Sequence, residues 1–124
     1  MNPILIVEDN EKNLKLVRDV LQAKGYTTLE AGTAEEGLAL ARERCPGLIL
    51  MDIHLPGMNG IEALRALRAE AATAAIPVIA ITASVMKESV REVMAAGFNA
   101  FIEKPIDVRG FLDKVRGIVG EGGR

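Results

Sequence analysis

Three four-residue runs, Ile4-Leu5-Ile6-Val7, Leu48-Ile49-Leu50-Met51 and Val78-Ile79-Ala80-Ile81, contain no polar side chain. Successive side chains of a strand point to opposite faces, so such runs fit a sheet covered on both sides, the environment of a parallel sheet with helical crossovers. Between them lie longer stretches in which apolar residues recur at helical spacing. Five strand-then-helix units can be counted, a βα repeat rather than an all-helical or all-strand pattern. The second strand, near Thr27 to Ala31, is more polar, and the fifth, Ala100-Phe101-Ile102, is brief, so both are expected at edges. A doubly wound five-stranded parallel sheet in the order 2-1-3-4-5, with helices on both faces, satisfies this assignment and the right-handedness of crossovers.

The helical stretches carry punctuation that agrees with the strands. Leu14, Val17 and Leu21, with Leu16 and Val20 beside them, give the first helix a broad apolar stripe, and Gly25 follows at the position of a C-terminal cap. Thr33-Ala34-Glu35-Glu36 has the pattern of a capping box opening the second helix. The third runs from about Asn59 with Ile61, Leu64 and Leu67 inward. In the fourth, Met86, Val90, Val93 and Met94 share one face and Gly97 closes it. The fifth turns Phe111, Leu112, Val115 and Val119 toward the sheet.

With 124 residues and 49% hydrophobic content, the chain supports one compact core, so residues 1–124 are expected to form a single domain, with 120–124 a Gly-rich tail. A formal charge of −2 and the lack of any Lys/Arg cluster argue against direct nucleic-acid binding. No run is long enough for a signal peptide core or a membrane span, so no membrane partner and a cytoplasmic location are expected. The single cysteine, Cys45, cannot form an internal disulfide or a zinc site, and is expected as a small, partly buried apolar residue.

In an open parallel sheet, ligands gather beyond the carboxyl ends of the strands. The first strand ends in Glu8-Asp9, the third in Asp52, the fourth in Thr82, and Lys104 follows the fifth. Taken singly, each has an ordinary explanation: Glu8 and Asp9 as acids at a helix amino end, Asp52 as a loop carboxylate, Thr82 as a β-branched strand residue, Lys104 as a solvated charge. Taken together these explanations fail, because three acids at one edge repel one another unless a cation or a function compensates. Oxygen-only ligands suit Mg²⁺, with Mn²⁺ a possible substitute, and argue against zinc, copper or iron. His54, the only histidine, lies two residues past Asp52 on a turn, and its imidazole is expected to face solvent rather than act as ligand or phosphoacceptor.

Four motifs, Val7-Glu8-Asp9-Asn10, Met51-Asp52-Ile53-His54-Leu55-Pro56-Gly57-Met58-Asn59-Gly60, Ile81-Thr82-Ala83 and Glu103-Lys104-Pro105, resemble in combination the receiver family of two-component response regulators, over essentially the whole chain. The resemblance implies a flavodoxin-like strand order and a phosphoacceptor signalling domain that helps catalyse its own phosphorylation and dephosphorylation without being an enzyme in the usual sense. By it, Asp52 is the phosphoacceptor, Asp9 binds Mg²⁺ directly, Glu8 acts mainly through a metal-bound water, and the backbone carbonyl of His54 completes the protein ligands. Thr82 and Lys104 would contact phosphoryl oxygens, and the Lys104–Pro105 bond would be cis. The switch aromatic of the family falls at Phe101, where many members have tyrosine, which removes a hydroxyl contact. Implied partners are a sensor histidine kinase or histidine phosphotransfer protein, and a downstream regulatory protein reading the surface of the fourth helix, fifth strand and fifth helix. Met1 close to the first strand, and the stop soon after the fifth helix, favour a free-standing regulator resembling single-domain cell-cycle or phosphorelay types.

Other readings fit less well. A flavin-binding protein would need a Gly/Ser/Thr-rich anion cradle after the first strand, where Glu8-Asp9 would repel a phosphate. A phosphatase with a carboxylate nucleophile would need a lid and a second acid for the leaving group. The remaining alternative is an interaction module that keeps the receiver fold but works without phosphorylation, against which the intact set of acids, Thr82 and Lys104 counts.

Overall fold

The computed structural model describes residues 2–55, 57–82 and 87–120, with the backbone alone for 87–90. Five strands alternate with five helices: β1 (Ile4–Val7), α1 (Glu11–Ala23), β2 (Thr28–Ala31), α2 (Ala34–Arg44), β3 (Leu48–Asp52), α3 (Gly60–Ala69), β4 (Val78–Thr82), α4 (Lys87–Ala96), β5 (Ala100–Glu103) and α5 (Val108–Val119). All strand pairs are parallel and the order is β2-β1-β3-β4-β5, the doubly wound arrangement expected from the apolar runs.

The period of two along each central strand divides the core into two layers. Leu5, Val7, Ile49, Met51, Val78 and Ala80 face α2, α3 and α4, where Leu38, Leu64, Leu67 and Val93 are buried against them. Ile4, Ile6, Leu48, Leu50, Ile79 and Ile81 face α1 and α5, whose Val17, Leu21, Phe111 and Val115 close the other side. Every residue of β1, β3 and β4 is buried, whereas β2 and β5 are only partly so, as edge strands should be. Tyr26, buried between α1 and β2, donates its hydroxyl hydrogen to the Gly120 carbonyl at 2.6 Å and so ties down the end of α5. Among the described residues, no helix is long and apolar enough to cross a membrane.

Several local expectations are corrected. Cys45 is exposed, not partly buried: it takes a left-handed conformation (φ 47°) as the C-cap of α2, and a residue closing a helix at the surface has no layer above it to pack against. Thr33 caps α2 by accepting the Glu36 N–H at 3.1 Å, one half of the expected box. The reciprocal box stands at Asn59, which accepts from Glu62 N–H while its own N–H donates to the Glu62 carboxylate. On α4, Val93 is buried but Met94 is 45% exposed, and on α1, Leu16 is 38% exposed, so both apolar stripes are narrower than the sequence implied. The expectations at Pro56, Ala83, Met86 and the Val90 side chain, and for residues 121–124, lie outside the described residues.

Candidate functional site

The parallel register brings the carboxyl ends of β1, β3, β4 and β5 to one rim. Asp52 is the last residue of β3 and Thr82 the last of β4; Glu8 follows β1 directly, and Lys104 follows β5. Glu8, Asp52 and Thr82 are buried and Asp9 is exposed. One carboxylate oxygen from each of Glu8, Asp9 and Asp52 lies within 4.8 Å of the others. The Lys104 ammonium sits 2.9 Å from Glu8 Oε1 and donates a hydrogen bond to Asp52 Oδ2 at 3.1 Å. Asp52 Oδ1 accepts the His54 backbone N–H at 2.9 Å, while the His54 side chain is exposed, as expected. The Lys104–Pro105 bond is cis. Phe101, on β5, is half-buried and packs against the α2, α3 and α4 layer.

Burial sorts the carboxyls by charge. Desolvation, with the hydrogen bond and negative charge of Asp52 adding to it, pushes Glu8 up to about 7 against Lys104's opposing pull. Burial also works to raise Asp52, but hydrogen bonds from Glu8, the His54 N–H and Lys104 outweigh it and hold that carboxyl below its ordinary value. Lys104 is held above its usual value, the pull of the two carboxylates overcoming burial. Of the two carboxyls, the environment favours the proton on Glu8 and the charge on Asp52. Although Glu8 Oε1 is fully buried and only 2.9 Å from Lys104, its alignment makes no hydrogen bond. A buried carboxylate oxygen held by an ion pair alone, beside two further carboxylates, suits a hard cation, so the donor set fits Mg²⁺ or Mn²⁺.

Two motif residues support the site from beneath. The Asn10 backbone N–H donates to Glu8 Oε2 at 3.3 Å, while its side chain caps α1 by accepting the Asn13 N–H. Gly60 opens α3 so close to β3 that an added Cβ would lie 2.8 Å from both the Asp52 carbonyl oxygen and the Ile53 Cα, and its N–H donates to the Ile53 carbonyl at 3.0 Å. A second glycine, Gly37 on α2, leaves no room either: a Cβ there would lie 2.7 Å from a Val7 methyl, one residue before Glu8. A glycine inside a helical pattern was the available signal of such close approach.

Residues 4–116 match the model of the response regulator receiver domain family. The polar-differentiation response regulator DivK of Brucella ovis is 43% identical over 118 residues, covering 95% of this chain and 96% of that protein. Among solved structures, the chemotaxis protein CheY4 of Vibrio cholerae superposes with a TM-score of 0.89 at 26% identity, covering 95% of this chain and 98% of that one. The receiver domain of a sensor histidine kinase from Pseudomonas aeruginosa PAO1, solved with a magnesium ion coordinated in its active site cleft, has a TM-score of 0.88 at 28% identity, covering 97% and 98%. With the strand-end acids, the lysine and the sheet order all in place, the chain belongs to the response regulator receiver domain family of two-component signalling.

Proposed function

We propose that Asp52 accepts a phosphoryl group from a phosphohistidine of a sensor kinase or phosphotransfer protein. The carrying observation is that Asp52 is buried at a strand end with Lys104 at 3.1 Å and the His54 N–H at 2.9 Å, contacts that favour its charged form. A carboxylate that already bears charge needs no general base. One of its oxygens attacks phosphorus, the P–N bond to imidazole breaks, and the departing nitrogen takes its proton from solvent or the donor protein. Lys104 supplies a compact positive charge against the phosphoryl oxygens, and the Thr82 hydroxyl, at the end of the neighbouring strand, supplies a donor to one of them. Glu8, Asp9, Asp52 and the His54 carbonyl would hold Mg²⁺, or Mn²⁺ in its place, and the ion would supply further neutralisation of phosphoryl charge.

Output follows from a change of surface. Residues 1–124 act as one receiver domain, and occupation of Asp52 draws Thr82 toward the phosphoryl group and lets Phe101 rotate. The altered face of α4, β5 and α5 is then read by a downstream regulatory protein. The similarity to the polar-differentiation regulator DivK favours a regulator of polar differentiation, working in the cytoplasm by protein contact. Replacing Asp52 by Asn keeps shape and burial but removes the nucleophilic charge, so Asp52→Asn should fold normally and take no label from acetyl phosphate or a histidine kinase. An undiminished, base-labile label on that variant would assign the acceptor elsewhere, and wild-type protein that takes no label would favour a module working without phosphorylation.

A further inference from the structure

Lys114 lies on α5, whose inward residues Phe111 and Val115 belong to the layer shared with α1. Phe101 packs on the opposite side of the sheet, against the layer shared with α4. The exposed Lys114 side chain nevertheless reaches Phe101 twice. Its ammonium donates to the Phe101 backbone carbonyl at 2.6 Å and stands 5.1 Å from the centre of the phenyl ring. Among the described residues, no carboxylate lies within ion-pair distance of this lysine. Its stem borders an open groove of about 360 Å³ that is also lined by Ile102, Lys104 and Phe111. Free space beside the side chain leaves other rotamers accessible, so attraction rather than packing holds the ammonium on Phe101.

We propose that Lys114 is a positioning residue that holds Phe101 in its present rotamer and so opposes the rearrangement of β5 when the Asp52 site is filled. The proposal rests on the reading of Phe101 as the switch aromatic. The two contacts have different consequences. The carbonyl belongs to the main chain and keeps the ammonium in place whatever the ring does, because a carbonyl accepts independently of its side chain. A ring that rotates away therefore leaves the cation behind and loses its attraction, and the rotated state is disfavoured by that amount. Setting this restraint costs the free protein little, since the lysine stays solvated.

The test compares wild type with Lys114→Met, which keeps the stem and removes the charge and donor, and with Lys114→Arg, which keeps a cation. Phe101 χ1 is read from NMR side-chain couplings in the free protein, and beryllofluoride with Mg²⁺ is then titrated as the phosphoryl stand-in. Lys114→Met should show rotamer averaging at Phe101 and bind beryllofluoride about two- to five-fold more tightly, while Lys114→Arg stays near wild type. A Lys114→Met protein with an unchanged Phe101 rotamer, or with a loosened rotamer and unchanged affinity, overturns the proposal. Should Phe101 of the wild type ignore beryllofluoride altogether, the switch reading itself fails and the proposal with it. That result is recognised because the free-state rotamer of Lys114→Met loosens all the same.

Discussion

The proton on Glu8 makes the stability of the metal-free protein depend on pH in a direction opposite to that of most carboxylates. Its carboxyl stands at about 7 in the folded chain against an ordinary 4.5. The folded state therefore binds this proton more tightly than the unfolded state. The stabilisation is fully present below pH 4.5 and is lost as pH rises through 7. A difference of this size corresponds to about 3.5 kcal/mol at most, at roughly 1.4 kcal/mol per pH unit, and sharing of the proton with Asp52 lowers the expected loss to about 1–3 kcal/mol. Asp52 has the opposite sign, since its carboxyl is held down. Its contribution is present above its ordinary value of 3.8 and fades only as pH falls further, outside the window in which Glu8 acts.

Glu8→Gln isolates the effect. The amide can still donate to Asp52 as the protonated carboxyl does, but it cannot ionise. In urea unfolding with EDTA at pH 5, 6, 7 and 8, wild type should lose about 1–3 kcal/mol across the series relative to the variant, whose own curve cancels every other titrating group. Adding Mg²⁺ at pH 8 should restore wild type by mass action and leave the variant less affected. Parallel pH dependences for wild type and Glu8→Gln would refute the assignment of the proton to Glu8.

Other outcomes follow from the same geometry. Asp9 is the exposed member of the acidic trio, so Asp9→Ala should weaken Mg²⁺ binding at least about tenfold by isothermal titration, yet change metal-free stability by only about 0.5 kcal/mol. Gly60→Ala places a methyl against the backbone of Asp52 and Ile53, atoms that have nowhere to retreat, and should cost about 2–4 kcal/mol in denaturant while displacing the Asp52 amide signals. Thr82→Ala should still bind beryllofluoride but transmit less of the NMR perturbation to α4 and β5; distal shifts equal to wild type would show the threonine to be a bystander.

The fold was legible because its strongest determinant is local. Side-chain alternation along Ile4–Val7, Leu48–Met51 and Val78–Ile81 needs both faces covered, and only a parallel sheet with crossovers covers both. Leu16 and Met94 are exposed members of the apolar stripes of α1 and α4, and how wide a stripe is buried is set by tertiary packing rather than by helical spacing, whereas Cys45 is exposed because it closes α2. The capping box at Asn59 and Glu62 has the same spacing in the sequence as Thr33 and Glu36, and only side-chain geometry tells the reciprocal pair from the single cap.

The site was legible as a collection and illegible as a division of labour. Topology alone brings the ends of β1, β3, β4 and β5 together, so a list of strand-terminal residues already assembles Glu8, Asp9, Asp52, Thr82 and Lys104. Which carboxyl keeps a proton depends on angles and depths that no spacing encodes. Glu8 and Asp52 are almost equally buried, yet Asp52 accepts the His54 N–H at 2.9 Å and an aligned Lys104 bond, whereas Glu8 accepts a longer bond from the Asn10 N–H at 3.3 Å and meets the same ammonium as an ion pair. Two neighbouring acids of similar burial thereby come to favour the proton on one and the charge on the other. The proposed acceptor is the one whose charge the protein favours, and its neighbour keeps an oxygen held by an ion pair alone, which suits a divalent cation. A sequence can announce that acids meet; only the directions of a few N–H bonds decide which of them is ready to act.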